Sequence, residues 1–404
     1  MNFMTSQRST DLARSEHVGE ARSVRSLPRR LLVPALVAAV VTLLSSCTKD
    51  PQSTINVEGP EARSINSLAI PVFLISIVVG VIVYALVFYC IARFRRKGED
   101  HIPKQVHGNS AAELAWTAAP AILLAVVGVF SVGKIFQISE EPKNALDITV
   151  IGHQWWWEYQ YPQPGQTNMN PRLVTVDDPK DVELAKTEGR EPLKVANVIQ
   201  QDGPVISTAN ELHIPAGKKV RLHISSGDVM HNYWVPTLSG KIYAIPGRIN
   251  KLTIEADPED AGKLLYGQCA EFCGTSHANM RFKVKVDSPA EFDAWLKQMA
   301  GPAKEPTSEL ALAGQKLFNG GGGCTACHWA EPEKVNEGAK IGPNLTHFAV
   351  RKHFAGAIAE NNTRNLTAWL RNPQSFKPGS RMVIRKLSDD EIEQLVAYLQ
   401  SLKA

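Results

Sequence analysis

Hydrophobic and polar positions follow three rhythms along the 404 residues. The first third holds unbroken apolar runs. Arg25, Arg29 and Arg30 precede LLVPALVAAVVTLLSSC, the charged start and short apolar stretch of a secretory signal, here 1–46. From Ser64 to Ala92 there are 29 consecutive uncharged residues, and from Leu114 to Gly133 there are 20 more. Each reaches the roughly 20 residues that cross a hydrocarbon core of about 30 Å, which predicts transmembrane helices at about 66–92 and 114–136 within a segment 47–138. Arg93, Arg95, Arg96 and Lys97 between them place that loop in the cytoplasm and both mature termini outside. The alternative is a buried helical hairpin of a soluble domain, but soluble helices rarely run so long without charge.

Beyond residue 139 the rhythm changes. DITVIG, ELHIP, KKVRLHIS, NKLTIEA and RFKVKV alternate with period two between Gly and Pro turns, predicting an antiparallel β-sandwich or barrel over 139–300. The polar stretch 164–204 reads as an excursion from that sheet. GPAKEPTSE, around 301–308, reads as a linker. In 309–404, SELALAGQKLFNG, RNLTAWLRN and SDDEIEQLVAYLQSL have helical spacing, and Ser388 with Glu391 forms a capping box.

Composition alone resembles an ordinary soluble protein: 44% hydrophobic, 21% charged, mean hydropathy −0.15, net charge +4. It excludes a disordered chain, a disulfide-dense miniprotein and a polytopic transporter. By segment the charge is +5 over 1–138, −3 over 139–304 and +2 over 305–404. A nucleic-acid binder would concentrate positive charge on its folded part, so no nucleic-acid partner is expected; a membrane is. Six cysteines could form up to three disulfides, but their settings argue for other uses. Cys90 reads as a buried apolar thiol. Leu44-Ser45-Ser46-Cys47 resembles the lipobox of bacterial lipoproteins, which implies lipidation of Cys47; plain signal cleavage, with Cys47 incidental, and a twin-arginine signal are the alternatives.

Chemistry concentrates first in YGQCAEFCGTSHANM. Cys269, Cys273, His277 and Met280 follow C-x3-C-x3-H-x2-M, a soft ligand set that favours copper, and His231 in VMHNYWVP is available as a second imidazole. A mononuclear blue-copper site would use His231, Cys273, His277 and Met280 and leave Cys269 surplus. Two thiolates bridging two metals use all of them, so binuclear copper is preferred. A Cys269–Cys273 disulfide would leave His277 and Met280 at ligand spacing by coincidence, and zinc needs no methionine.

With VMHNYWVP and AIPGR, this tract resembles subunit II of cytochrome c oxidase, a cupredoxin-fold domain carrying the binuclear copper centre CuA behind two transmembrane helices. The resemblance spans about residues 50–298. It implies that Cys269 and Cys273 bridge the coppers, with His231, His277, Met280 and the Glu271 carbonyl as further ligands. It also implies that the Glu271 side chain faces the catalytic subunit, where the family holds magnesium or manganese. GHQWWWEYQY resembles the family's aromatic patch, with Trp155 at the position through which electrons enter; a membrane-interface aromatic belt is the plainer reading. Trp156 stands where many members have tyrosine, and Tyr243 where many have aspartate.

The second tract is Cys324-Thr325-Ala326-Cys327-His328, the C-x-x-C-H of covalent haem c, with two thioethers and one histidine ligand. A redox dithiol is the alternative. Met382, the only methionine after residue 299, is selected as the second axial ligand, with His347 and His353 as competitors. The segment resembles a class I cytochrome c, which implies that the carbonyl of Pro343 in IGPNLT accepts a hydrogen bond from His328.

The fold expected is therefore multidomain: a two-helix transmembrane hairpin, an all-β cupredoxin-like domain and an all-α cytochrome c domain. The function expected is passage of electrons from an external donor through haem c and CuA to the haem of subunit I, where oxygen is reduced. Partners implied are subunits I and III and a donor, either cytochrome c or the quinol–cytochrome c reductase complex, at the outer face of a bacterial cytoplasmic membrane. The alternatives are a CuA-bearing subunit of a nitric-oxide reductase, a metallochaperone and a stand-alone membrane-anchored carrier. A chaperone needs no haem, and a carrier needs no second span.

Overall fold

A computed structural model describes residues 51–95, 105–177, 182–191, 194–200, 204–330 and 341–403. The signal, Cys47, Arg96 and Lys97 lie outside them. Helices α1 (Pro60–Arg93) and α2 (Ser110–Ile138) hold windows of mean hydropathy 2.8 and 2.1, and their apolar side chains point outward on all sides. Cys90 is on this exposed surface rather than buried, within the apolar band that a bilayer would cover. α1 begins before the uncharged run because its first turn docks on the β domain. Arg63 Nη2 donates to Asp257 Oδ1 at 2.8 Å, and the Gly59 amide donates to Asp257 Oδ2 at 3.1 Å.

The β domain is a sandwich of two five-stranded sheets. The first sheet contains β1 (Leu146–His153) and β2 (Trp156–Tyr161). β3 (Arg172–Asp177), the short α3 (Val182–Glu188) and β4 (Lys194–Gln200) make up the predicted excursion, with β3 and β4 paired in a separate ladder. Then come β5 (Ile206–Ala209), β6 (Glu211–Pro215), β7 (Val220–Ser226), β8 (His231–Trp234), β9 (Ile242–Ala244), β10 (Asn250–Ile254), β11 (Leu264–Cys269) and β12 (Arg281–Asp287). The sheet orders are β10-β7-β1-β2-β5 and β6-β12-β11-β8-β9.

All five alternating segments named above are strands, but two pairs, β1 with β7 and β6 with β12, run parallel rather than antiparallel. Alternation reports which face is buried, not which neighbour a strand takes, and the long connections here permit parallel crossing. Trp157, Tyr159, Tyr233 and Phe282 are fully buried between the sheets, with Tyr233 and Phe282 stacked at 4.3 Å. The opposite face of β2 is buried too, and its charge is met there: Glu158 accepts from Gln160 Nε2 at 2.9 Å and Ser207 Oγ at 3.1 Å.

After β12, α4 (Pro289–Ala300) starts in a Ser288–Glu291 capping box and lays Trp295 flat on His213, ring centroids 4.1 Å apart. The segment read as a linker is fastened rather than free. Gly301 O accepts from His347 Nε2 at 3.1 Å, Ala303 is buried and the Lys304 amide donates to Lys403 O at 2.7 Å.

The last domain packs α5 (Glu309–Asn319) across α8 (Asp389–Ser401), with Phe318 against Tyr398. A two-strand ladder, β13 (His353–Phe354) with β14 (Ala359–Glu360), precedes α6 (Thr363–Arg371) and α7 (Pro373–Phe376). The predicted capping box opens α8, where the Ser388 amide donates to Glu391 at 2.8 Å and the Glu391 amide to Ser388 Oγ at 3.1 Å.

Candidate functional site

β11 ends at Cys269, and the loop 270–280 returns to β12 closed by a hydrogen bond from the Cys269 amide to Met280 O at 2.9 Å. Cys269 pairs with Tyr233 of the neighbouring β8, which begins at His231. This topology gathers every sulfur and nitrogen donor singled out in YGQCAEFCGTSHANM, together with His231. Cys269 Sγ lies 3.8 Å from Cys273 Sγ, 3.9 Å from His231 Nδ1 and 3.2 Å from Glu271 O. Cys273 Sγ lies 3.5 Å from His277 Nδ1 and 3.8 Å from Met280 Sδ. Both thiols are free, and their separation is nearly twice a disulfide's bond length.

His231, Cys269 and Cys273 bring their donor atoms within 4.8 Å of one another, with His231 nearest Cys269, and His277 and Met280 lie beside Cys273. The Cys273 thiol lowers the pKa of Cys269, helped by His231 and backbone amides, while Cys269 and burial push Cys273 upward. Two adjacent thiols of this kind would suit a metal charged enough to bind both as thiolates.

Two residues that shape this site carried no motif. Asp228 Oδ1 is 2.8 Å from His231 Nε2, which puts the ring proton on Nε2 and turns the Nδ1 lone pair toward Cys269. Burial opposes charge on His231, but Asp228 and Cys269 carry its pKa upward. Gly152 is the other: a Cβ there would stand 2.8 Å from His231 Cδ2, so only glycine leaves the ring its place. Asp228→Ala is expected to weaken copper binding about 10–100-fold, measured by chelator competition; an unchanged affinity would show Asp228 to be idle.

Trp155 lies 8% exposed between the β domain and the last domain. Its Nε1 donates to Cys273 O at 2.9 Å, and Gln154 Nε2 donates to the same oxygen at 2.8 Å. On its other side Trp155, together with Trp156, lines a cleft of about 1300 Å³ that is partly open to solvent.

Cys324, Cys327, His328 and Met382 line this same cleft, along with the apolar Phe318, Leu345, Leu366 and Leu399. His328 Nδ1 donates to Pro343 O at 2.8 Å, as the cytochrome resemblance implied. Gly342 lies against that ring, where a Cβ would come within 2.3 Å of His328 Cε1. Trp369 Nε1 donates to Met382 Sδ at 3.1 Å. The competitors are occupied elsewhere: His347 bonds Gly301 O, and burial takes it down to about 4, while His353 Nδ1 is 2.7 Å from Glu211 Oε1. Two thiols, an imidazole and a thioether lining one cleft with apolar walls fit a haem.

Glu271 contributes its carbonyl to the sulfur cluster, and its carboxylate hydrogen-bonds Tyr243, raising the tyrosine's pKa.

Comparison with known proteins covers almost the whole described chain. Residues 55–133 match the family described as cytochrome c oxidase subunit II, transmembrane domain. Residues 146–287 match its periplasmic domain, and residues 311–403 match cytochrome c. Cytochrome c oxidase subunit 2 of Alkalihalophilus pseudofirmus is 35% identical over 89% of this chain and 94% of its own length. The Bacillus subtilis protein of that name is 34% identical over 91% and 97%. Among solved structures, the periplasmic domain of subunit II of cytochrome oxidase from Bradyrhizobium japonicum is 29% identical, covering 39% of this chain and 94% of that one at a TM-score of 0.26. Membrane hairpin, copper domain and haem domain thus each have their counterpart, and the chain belongs to the cytochrome c oxidase subunit II family, the two-pass subunit that passes electrons into subunit I of a haem-copper oxidase, here with a cytochrome c domain following the periplasmic one.

Proposed function

We propose that this subunit takes electrons at the haem cleft and moves them to the copper ligands through Trp155. The observation that carries this reading is the double contact of one side chain: Trp155 lines the cleft shared by His328 and Met382, and its indole N–H bonds the Cys273 carbonyl at 2.9 Å. When bound, haem and copper supply the reversible one-electron chemistry; the residues fix distance, orientation and potential. Gln154 and Trp155 together hold the Cys273 carbonyl, so the copper-ligand loop and the wall of the cleft cannot shift independently.

The assignments within this reading follow from the chemistry of each group. Cys269 and Cys273, with His231, His277, Met280 and the Glu271 carbonyl, would hold a binuclear copper centre, because a single copper would leave one of the two thiolates surplus. Cys324 and Cys327 would tether haem c covalently, and His328 and Met382 would ligate its iron, with the Pro343 carbonyl fixing the imidazole. The Glu271 carboxylate, a hard oxygen donor, would face subunit I and would be suited to share magnesium or manganese there. Subunit III and a donor, either cytochrome c or the quinol–cytochrome c reductase complex, complete the partners. The signal 1–46, the lipid anchor on Cys47, the domain limits 47–138, 139–300, 301–308 and 309–404, and a bacterial cytoplasmic membrane complete the setting.

Trp155→Phe in the assembled oxidase tests the route. The external donor is expected to reduce the haem at its usual rate, while reduction of copper slows at least about tenfold, equivalent to roughly 1.4 kcal/mol of barrier. Rapid mixing with separate optical readout of haem and copper measures both. An unchanged copper rate rejects Trp155 as the bridge.

A further inference from the structure

Lys377 belongs to the loop NPQSFKPGSRM that carries Met382, yet it is buried to 4% exposure where the haem domain meets the β domain. Its Nζ donates to Ala355 O at 3.1 Å within its own domain and to Trp155 O across the interface. Among the described residues no carboxylate forms an ion pair with it. Burying an amine is costly, and burial takes this one down to about 7 against the opposing pull of the Cys273 thiol; in either protonation state it still donates hydrogen bonds. An apolar residue would serve the haem domain alone more cheaply. What the nitrogen gains lies on the other side of the interface.

We propose that Lys377 is a positioning residue that pins the haem domain to the backbone of Trp155, so that this chain's own haem domain occupies the face through which electrons reach copper. Trp155 is then held at both ends, its indole by Cys273 O and its carbonyl by Lys377. Further contacts surround the pin. The Arg281 amide donates to Gly356 O at 3.1 Å, the Lys352 amide to Glu211 Oε2 at 2.9 Å, and Ser276 Oγ to Pro378 O. A soluble donor cannot reach Trp155 past this contact and has to reduce the haem instead. The proposal rests on the reading of Trp155 as the bridge, but its main test does not depend on electron flow.

The test is hydrogen exchange in the full chain within the purified oxidase, comparing the native protein with Lys377→Met. The Arg281 and Lys352 amides report the interface, because their acceptors lie across it. The Cys269 and His328 amides, bonded within their own domains to Met280 O and Cys324 O, report folding. The expected result is at least about tenfold faster exchange at the interface amides alone, the scale of one or two lost hydrogen bonds. Transfer from haem to copper is expected to slow by a similar factor while both potentials stay unchanged. If Lys377→Met loses haem, Lys377→Gln, which stays polar but is too short to reach Trp155 O, takes its place. Retained protection at the interface amides overturns the proposal, as does lost protection with an unchanged transfer rate. If Trp155→Phe leaves transfer intact while Lys377→Met opens the interface and slows transfer, the bridge is wrong and the pin stands.

Discussion

Cys269→Ser is expected to abolish electron delivery to subunit I while leaving haem on the chain. The set needs both thiolates: His231 Nδ1 lies 3.9 Å from Cys269 Sγ, while His277 Nδ1 and Met280 Sδ lie 3.5 and 3.8 Å from Cys273 Sγ. Serine keeps the shape but is a hard, weakly acidic donor, so copper is expected to fall from about two per haem to one or none. Metal analysis of the purified oxidase, with oxygen consumption alongside, gives the answer. A variant that keeps its full copper content would mean that Cys269 is surplus and the centre mononuclear. Copper would displace protons from the thiols it binds, so loading is also expected to release protons and to weaken in acid.

The second large effect is expected from Cys324→Ala combined with Cys327→Ala. Without thioethers, haem no longer stays with the polypeptide under denaturing electrophoresis, and haem staining of the band disappears. The domain is expected to suffer as well, since haem would pack against the apolar Phe318, Leu345, Leu366 and Leu399 that line the cleft. The copper domain has its own core, built on Trp157, Tyr159, Tyr233 and Phe282, and is expected to keep its metal. Haem staining that survives denaturation in the double variant contradicts covalent attachment through these cysteines.

The parts of this protein that could be read in its sequence are those whose chemistry is local. Cys269 to Met280 and Cys324 to His328 are short tracts in which spacing alone limits what can be bound. The strands and helices declare themselves by alternation and by caps such as Ser388 with Glu391. What escaped depends on contacts between distant positions. Lys377 meets a carbonyl 222 residues away, and Gln154 meets one 119 residues away. Nothing in GHQWWWEYQY says that its glycine makes room for His231. Asp228 is three residues from His231 and could have been suspected, but an aspartate before a histidine is common, and only the 2.8 Å contact gives it a task. The parallel strand pairs were hidden for the same reason, because register along a strand does not name its neighbour.

The segment 301–308 has a consequence of its own. A loose tether would make the two redox domains an encounter pair, meeting as often as the tether's length allows. Gly301, Ala303 and Lys304 instead are each fastened to the last domain, so little slack remains. Internal transfer then behaves as a first-order event in a wired unit, indifferent to dilution and nearly so to salt. Grafting a different cytochrome onto this subunit would therefore mean reproducing a surface, because the connecting peptide by itself delivers nothing.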